Sequence, residues 1–490
     1  AASKSLDPIN FAGSICRKRG TIVVVGDVPT GFSREPHFYK KELQLRMSCS
    51  YGPGRYDPFY EEKGLDYPPA YVRWTEKRNM QAFQTLLQEK RMDLGYLTTH
   101  VFKLEDAPEA YDLMMEKAER FIGILIEYDT TKKTKNDPIV NSALEDQRSK
   151  ESAVKIGFIG AGSYAQGNLL PNVPNHPSVS LKGVLTSSGA SSRSVMERFG
   201  FEFCASQEKE LLENDDINTI FIATRHDSHA DFVIKALRAK KNVFVEKPLC
   251  LNEQELSDIR ECLSSMMVEG QPNNPNRTNP TNTPNQPLLM VGFNRRFAPL
   301  SQKLKGVFPQ GPLAMIYRVN AGAIPADSWI QDHQVGGGRI VGEVCHFVDY
   351  LTFLNGSLPV SIHATAMAEP GQLDDVVNIS LTYGNGSIGT IAYLSNGDKG
   401  LSKERVEVFG NGCTAILEDY KSLTVYANGR RSEKKLINQD KGQKQQVQAF
   451  VEAVWKGKRS PISLAEIHSA TIASFRIADS IRSGDTIRLE

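Results

Sequence analysis

The stretch Lys155–Ile156–Gly157–Phe158–Ile159–Gly160–Ala161–Gly162–Ser163–Tyr164–Ala165 constrains this chain more than any other. A short apolar run passing through Gly-x-Gly-x-x-Ala into a helical pattern predicts a buried strand, a tight turn and a helix N-terminus. Together these cradle a dinucleotide pyrophosphate on backbone N–H groups. Gly160 permits the turn, Gly162 lets the backbone approach phosphate, and Ala165 keeps the helix close to the sheet. Ala161, Ser163 and Tyr164 complete the loop. A turn of this kind usually opens its domain, yet here it begins well inside a chain of 490 residues. A separate module is therefore expected in front of it.

The pattern around the turn supports the reading. Apolar runs at 154–159, 179–185, 219–223 and 242–246 alternate with helical patterns near 163, to 199, over 228–239 and over 253–267. That is βαβ repetition, and it predicts a Rossmann-like, doubly wound parallel sheet over residues 153–297. Residues 270–286 are almost wholly Asn, Pro, Thr and Gln, which predicts a mobile insertion without core-forming side chains. From 298 to 490 the grammar changes to short strands joined by Gly384–Asn385–Gly386 and Gly410–Asn411–Gly412, closed by helices over 443–455 and 464–482. This predicts an α+β domain with a large antiparallel sheet, serving substrate binding and homo-oligomerisation. Residues 1–128 read as a partial Rossmann-type module, with a strand at 21–26 buried on both faces, and 129–152 as a polar linker.

A net charge of +1 gives no reason to expect nucleic acid or an acidic membrane surface as partner. The longest apolar runs are far too short to span a bilayer. The seven cysteines form no C-x-x-C pair and suggest neither a disulfide framework nor a metal site. A cytoplasmic protein is expected.

Ligands bind at the carboxyl ends of parallel strands, so the residues just beyond them are the candidates. The second strand runs into Ser187 and Ser188 rather than an acid. Hydroxyls there, with Arg193 behind, leave NAD and NADP both open. Thr224, Arg225 and His229 follow the next strand, and Glu246–Lys247–Pro248 the one after. Read alone, Lys247 is a surface lysine more often than a cleft one. In the run Gly336 to Asp349, His346 and Asp349 share a helical face, so the acid is placed to orient the imidazole.

These motifs, with Gly292–Phe293–Asn294–Arg295–Arg296–Phe297, resemble the Gfo/Idh/MocA family, named for glucose–fructose oxidoreductase and inositol dehydrogenase. The resemblance implies an NAD(P)-dependent oxidoreductase that transfers a hydride to or from a hydroxyl-bearing carbon of a sugar, nucleotide sugar or cyclitol. It implies Lys247 and His346 as catalytic residues. It also implies Gly160 to Ala165, Ser187, Ser188, Thr224, Arg225, His229 and Glu246 around the cofactor. Asn294, Arg295, Trp329, Glu343 and Asp349 are the candidates for the substrate side. One departure stands out: where family members often carry an aspartate four residues before the histidine, this chain has Gly342, with Glu343 next to it. A lyase or glycosidase that oxidises its sugar only transiently, or a non-catalytic cofactor-binding protein, are the alternatives.

The front block, through Cys16–Pro29, Leu97–Phe102 and Leu104–Ala107, is similar to the last part of a medium-chain, zinc-type alcohol dehydrogenase. It is expected to be non-catalytic, to be the remainder of a two-oxidoreductase fusion, and to leave a sheet edge exposed or dependent on a partner.

Overall fold

The computed structural model describes residues 4–29, 31–49, 51–61, 64–117, 119–129, 139–140, 153–268, 286–309, 311–325, 327–367 and 375–489. The chain forms two compact units, Ala1–Thr134 and Lys135–Glu490. The polar insertion, apart from Gln286, and all of the expected linker except Asp129 and residues 139–140 lie outside the described residues.

In the first unit, β1 (Thr21–Val24) pairs in parallel with β2 (Gln44–Met47), and β3 (Thr98–Lys103) in parallel with β4 (Gly123–Glu127). The expectation of a strand buried on both faces does not hold for β1, whose Val23 is 52% exposed. Parallel pairs are ordinarily covered on both faces. With only two strands in each sheet, little surrounds these side chains.

The second unit is built on two sheets. The first has seven strands in the order β11-β10-β9-β6-β7-β8-β5. They are β5 (Ile139–Val140), β6 (Val154–Ile159), β7 (Val179–Leu185), β8 (Phe203–Cys204), β9 (Thr219–Ile222), β10 (Asn242–Val245) and β11 (Leu289–Val291). All pairings are parallel except β5 with β8, so part of the segment expected to be a linker adds an antiparallel edge strand. The strands are rich in buried Val, Ile, Leu and Phe because helices cover both faces. At the centre the Phe221 ring stacks on Phe158 and on Phe244, both at 4.8 Å between centroids, and meets Phe450 edge-on at 5.6 Å. Phe450 comes from the helix Gln443–Trp455. The closing helices of the chain therefore pack into the nucleotide-type core, and the boundary expected at residue 298 does not separate the two cores.

The second sheet has nine strands in the order β19-β18-β17-β16-β12-β15-β14-β13-β20. They are β12 (Ala314–Asn320), β13 (Pro359–Ala366), β14 (Val376–Tyr383), β15 (Ile388–Leu394), β16 (Glu404–Gly410), β17 (Cys413–Glu418), β18 (Ser422–Ala427), β19 (Arg430–Lys435) and β20 (Ile487–Arg488). Every pairing is antiparallel but one: β12 runs parallel to β15 at the centre, which makes the sheet mixed. Alternate residues of β14 are buried under the helices Cys345–Asn355 and Leu464–Ser483, and the others face out. Asn411–Gly412 turns β16 into β17 with φ of +51° and +72°. Asn428–Gly429 turns β18 into β19 with +52° and +71°. Positive φ at both central positions is what a two-residue hairpin needs, and Asn-Gly adopts it at low cost.

The Phe221→Ala substitution removes the ring at the centre of the aromatic stack. It is expected to lower unfolding free energy by about 3–5 kcal/mol, read from the midpoint of urea denaturation.

Candidate active site

The glycine turn sits where β6 ends. Gly160 has φ +84°, and a Cβ there would fall 2.6 Å from the carbonyl carbon and oxygen of Ala223. Only glycine fits both the conformation and the space. Gly162 has nothing within 4 Å of where its Cβ would be, so its backbone borders open space. The helical segment that follows ends early. Ala165–Leu169 is a wide turn and Leu170–Asn172 a tight one holding Pro171. Ala165 is fully buried beneath the turn. A bare glycine at the rim of a parallel sheet, followed at once by a helical start, fits a dinucleotide pyrophosphate.

Beyond β7, the Ser188 hydroxyl caps the helix Gly189–Phe199 by accepting the Ser191 N–H, and Ser187 lies exposed beside it. Arg193 is tied to Glu197 one turn on, at 2.9 Å. No carboxylate follows Leu185 before that helix.

A cavity of about 410 Å³ opens at the carboxyl ends of β9 and β10, walled on its other side by the segment 321–343 and Lys403. Tyr164, Thr224, His229, Glu246, Lys247, Trp329 and Glu343 border it, so these expected residues converge from four separate parts of the chain. The Lys247 ammonium donates to the carbonyl of Gly342 at 3.0 Å. The residue that lacks a carboxylate thus meets the lysine through its backbone. Glu343 faces the other way across the wall. It accepts from Lys403 at 2.8 Å and from the Tyr393 hydroxyl at 2.5 Å, with Arg339 at 3.5 Å. Burial raises its pKa, but Lys403 and Lys247 outweigh burial and hold the carboxyl well below its usual range.

Trp329 is flanked by His226, edge-on at 4.9 Å, and by the Arg225 guanidinium at 5.8 Å. His226 meets the Gly336 carbonyl through Nδ1 at 2.8 Å. Burial, then the charge of Lys247, lowers its pKa to about 3, so the ring is neutral. His229 bridges two loops, with Nδ1 2.7 Å from the Pro248 carbonyl and Nε2 3.2 Å from that of Thr224. Burial disfavours its charged form, so the ring has one N–H and donates to one of these two carbonyls. Glu246 is 7% exposed, and burial raises its carboxyl to about 7 despite the neighbouring Lys247.

Three residues expected on the substrate side do not border the cavity. Asn294 donates its side-chain N–H to the Lys441 carbonyl. Arg295 grips Glu404 with two nitrogens, at 2.7 and 3.0 Å. Asp349 is held by Arg296 at 2.5 and 3.0 Å, so it does not orient His346 as its helical spacing suggested. In each case a buried charge or amide has found a closer partner within the protein. His346 is 4% exposed, packs edge-on against Phe293 at 5.7 Å, and keeps its Nδ1 without a hydrogen-bond partner among the described residues. Burial, then the charges of Arg295 and Lys247, holds its pKa well below the ordinary value. Sequence reasoning missed Tyr393, which reaches the wall from β15, and Lys403, which reaches it from just before β16, and there is no local signal for either. No cluster of three or more His, Cys, Asp or Glu able to hold a metal occurs among the described residues, and no described helix is long and apolar enough to cross a membrane.

Because the Glu246 carboxyl binds its proton more tightly folded than unfolded, its contribution to stability is greatest below about pH 4.5. It is lost as pH rises to about 7. Between pH 5 and 8 the urea midpoint of the native protein is expected to fall relative to Glu246→Gln, by the equivalent of up to about 3 kcal/mol. Parallel curves for the two proteins would refute this.

Residues 154–269 match the family model described as "Oxidoreductase family, NAD-binding Rossmann fold", and residues 312–416 match the GFO/IDH/MocA C-terminal domain. The chain is 27% identical over 277 residues to the uncharacterized oxidoreductase YrbE of Bacillus subtilis, covering 55% of this chain and 75% of that protein. It is 23% identical over 314 residues to myo-inositol 2-dehydrogenase of Thermotoga maritima, covering 61% and 87%. The solved structure of levoglucosan dehydrogenase in complex with NADH superposes with a TM-score of 0.58 at 18% identity, over 69% of this chain and 99% of that one, which shows a common fold. Two matched domains, in this order and on this fold, support the Gfo/Idh/MocA family for residues 154–269 and 312–416, and the chain is an NAD(P)-dependent oxidoreductase.

Proposed function

We propose that the chain interconverts a secondary alcohol and a ketone on the ring of a sugar, nucleotide sugar or cyclitol. The observation that carries this reading is Lys247, whose ammonium is anchored on the Gly342 carbonyl at the wall of a cavity formed where the two sheets of the second unit meet. A cation so placed still has two N–H donors to offer an oxygen on the substrate and to stabilise it as charge develops. Gly160 to Ala165 hold the pyrophosphate of the dinucleotide, with Ser187 and Ser188 near the adenosine ribose and Thr224, Arg225 and Glu246 along the strand ends. When bound, the nicotinamide supplies a hydride acceptor or donor. His346 takes the hydroxyl proton or returns it. Trp329 offers an apolar face of the kind that packs on sugar rings, while Glu343, fixed by Lys403 and Tyr393, presents an acceptor to ring hydroxyls. The named activities of the inositol and levoglucosan dehydrogenases support a polyhydroxylated ring as substrate.

We further propose a homo-oligomer through the open face of the nine-stranded sheet. Ile316, Ile388, Phe409 and Tyr426 lie on that face by their pairing register and are 37–57% exposed. Ile388→Glu is expected to lower the mass measured by light scattering to that of the single chain.

The direct test is the nicotinamide absorbance with a panel of inositols, aldoses and nucleotide sugars. Lys247→Ala is expected to lower kcat by about 10²–10³-fold while dinucleotide affinity, read by fluorescence, changes by less than about fivefold. Turnover without any net absorbance change would instead identify the transient-oxidation lyase.

A further inference from the structure

Resting on the dehydrogenase reading, we infer that Glu246 is the positioning residue for His346: its carboxylate is the acceptor for the imidazole Nδ1–H, in place of the acids that the sequence spacing offered. Asp349 is taken by Arg296 and Glu343 by Tyr393 and Lys403, so neither is available to the ring. Two complementary buried atoms are left over. Nδ1 of His346 and Oε1 of Glu246 have no hydrogen-bond partner among the described residues. Burying a polar atom without a partner is unfavourable, so a leftover donor and a leftover acceptor within reach of one another are driven to pair, directly or through one water.

Both groups lie against the same dipeptide. The place where a Gly292 Cβ would sit is 2.7–2.8 Å from the Glu246 carboxyl atoms, and the ring of Phe293 meets His346 edge-on at 5.7 Å. The absence of a side chain at residue 292 lets the Glu246 carboxylate pack directly against the backbone there. Burial, then the charges of Arg295, Lys247, Lys403 and Lys441, disfavours a charged imidazole, and Lys247 and Arg295 also act on Glu246. These surrounding cations disfavour an imidazolium, so a carboxylate at Nδ1 is what makes proton uptake at Nε2 feasible. In oxidation with a nicotinamide dinucleotide bound, the hydroxyl proton would pass to Nε2 and the O–H pair left on oxygen would become the C=O bond as the hydrogen leaves carbon with its pair as hydride. The imidazolium would rest on Glu246 until solvent removes the proton. Because burial raises the Glu246 carboxyl to about 7, kcat/KM should fall on the acid side of neutrality as that group gains its proton.

The test uses the full chain and two substitutions. Glu246→Gln retains shape and an acceptor but loses charge. Glu246→Leu removes the acceptor. With ¹⁵N-histidine labelling and His346→Asn to assign the signal, ligand-free native protein is expected to show His346 as a single Nδ1–H tautomer. Glu246→Leu is expected to shift it toward Nε2–H. In turnover, Glu246→Gln is expected to lower kcat about 10–100-fold and to flatten the acid limb of kcat/KM, with partial recovery in Glu246→Asp. An unchanged tautomer in Glu246→Leu, or an acid limb that persists in Glu246→Gln while only dinucleotide affinity falls, overturns the inference and makes Glu246 a cofactor contact. The tautomer is read without cofactor or substrate, so it decides the pairing even if no polyol is turned over, which would count against the dehydrogenase reading alone.

Discussion

The buried ion pair between Arg295 and Glu404 is the constraint around which the second unit is arranged. Arg295 sits on the tight turn Asn294–Phe297 just beyond β11, so it belongs by sequence to the parallel sheet. Glu404 opens β16 of the mixed sheet and is 1% exposed. Two charges taken out of water are tolerated only when geometry and further hydrogen bonds compensate for lost hydration. Here the carboxylate also receives Lys441 at 2.7 Å and the Tyr317 hydroxyl at 2.5 Å, which in turn meets Tyr420 at 2.7 Å. Burial raises the Glu404 pKa, and the cations around it reverse that effect, so the acid remains ionised. The neighbouring Arg296 repeats the device, gripping Asp349 on the helix that carries His346 and Glu466 on the long closing helix. Two consecutive arginines from one sheet thus fix three elements of the other, and the cavity between them inherits a defined shape.

Within that cavity Lys247 is held by the backbone of residue 342, a glycine in this chain. Lysine needs an acceptor to hold its ammonium in place, and a backbone carbonyl serves as well as a carboxylate for that purpose. What a carbonyl does not do is balance charge. Glu343 partly meets that need from the opposite wall, since Lys247 is among the charges that lower its pKa. Glu343 in turn is held by Tyr393 and Lys403.

The parts of the fold legible beforehand were those encoded locally. The Gly160 turn, the βαβ alternation and the hairpin at Asn411–Gly412 each follow from backbone conformations that only a few residue types adopt. The second hairpin at Asn428–Gly429 carried the same signal and was available to the same argument. Strand β13 carries the alternation Val360, Ile362, Ala364 and Ala366 after Pro359, and it pairs with β14 and β20. The two-residue strand β5 lies in a polar segment that offers no such pattern.

For the site, sequence by itself determined which residues stand at the carboxyl ends of parallel strands. Glu246, Lys247 and Thr224 follow from strand order and motif alone, because a parallel sheet brings all its strand ends to one edge. Sequence also singled out Arg295, Asp349 and His346 as candidates without deciding between a structural and a functional role. Which partner each one takes was decided only by the tertiary structure. Arg295 and Glu404 are more than a hundred residues apart, and a buried charge selects its partner by proximity and desolvation in three dimensions rather than by spacing along the chain.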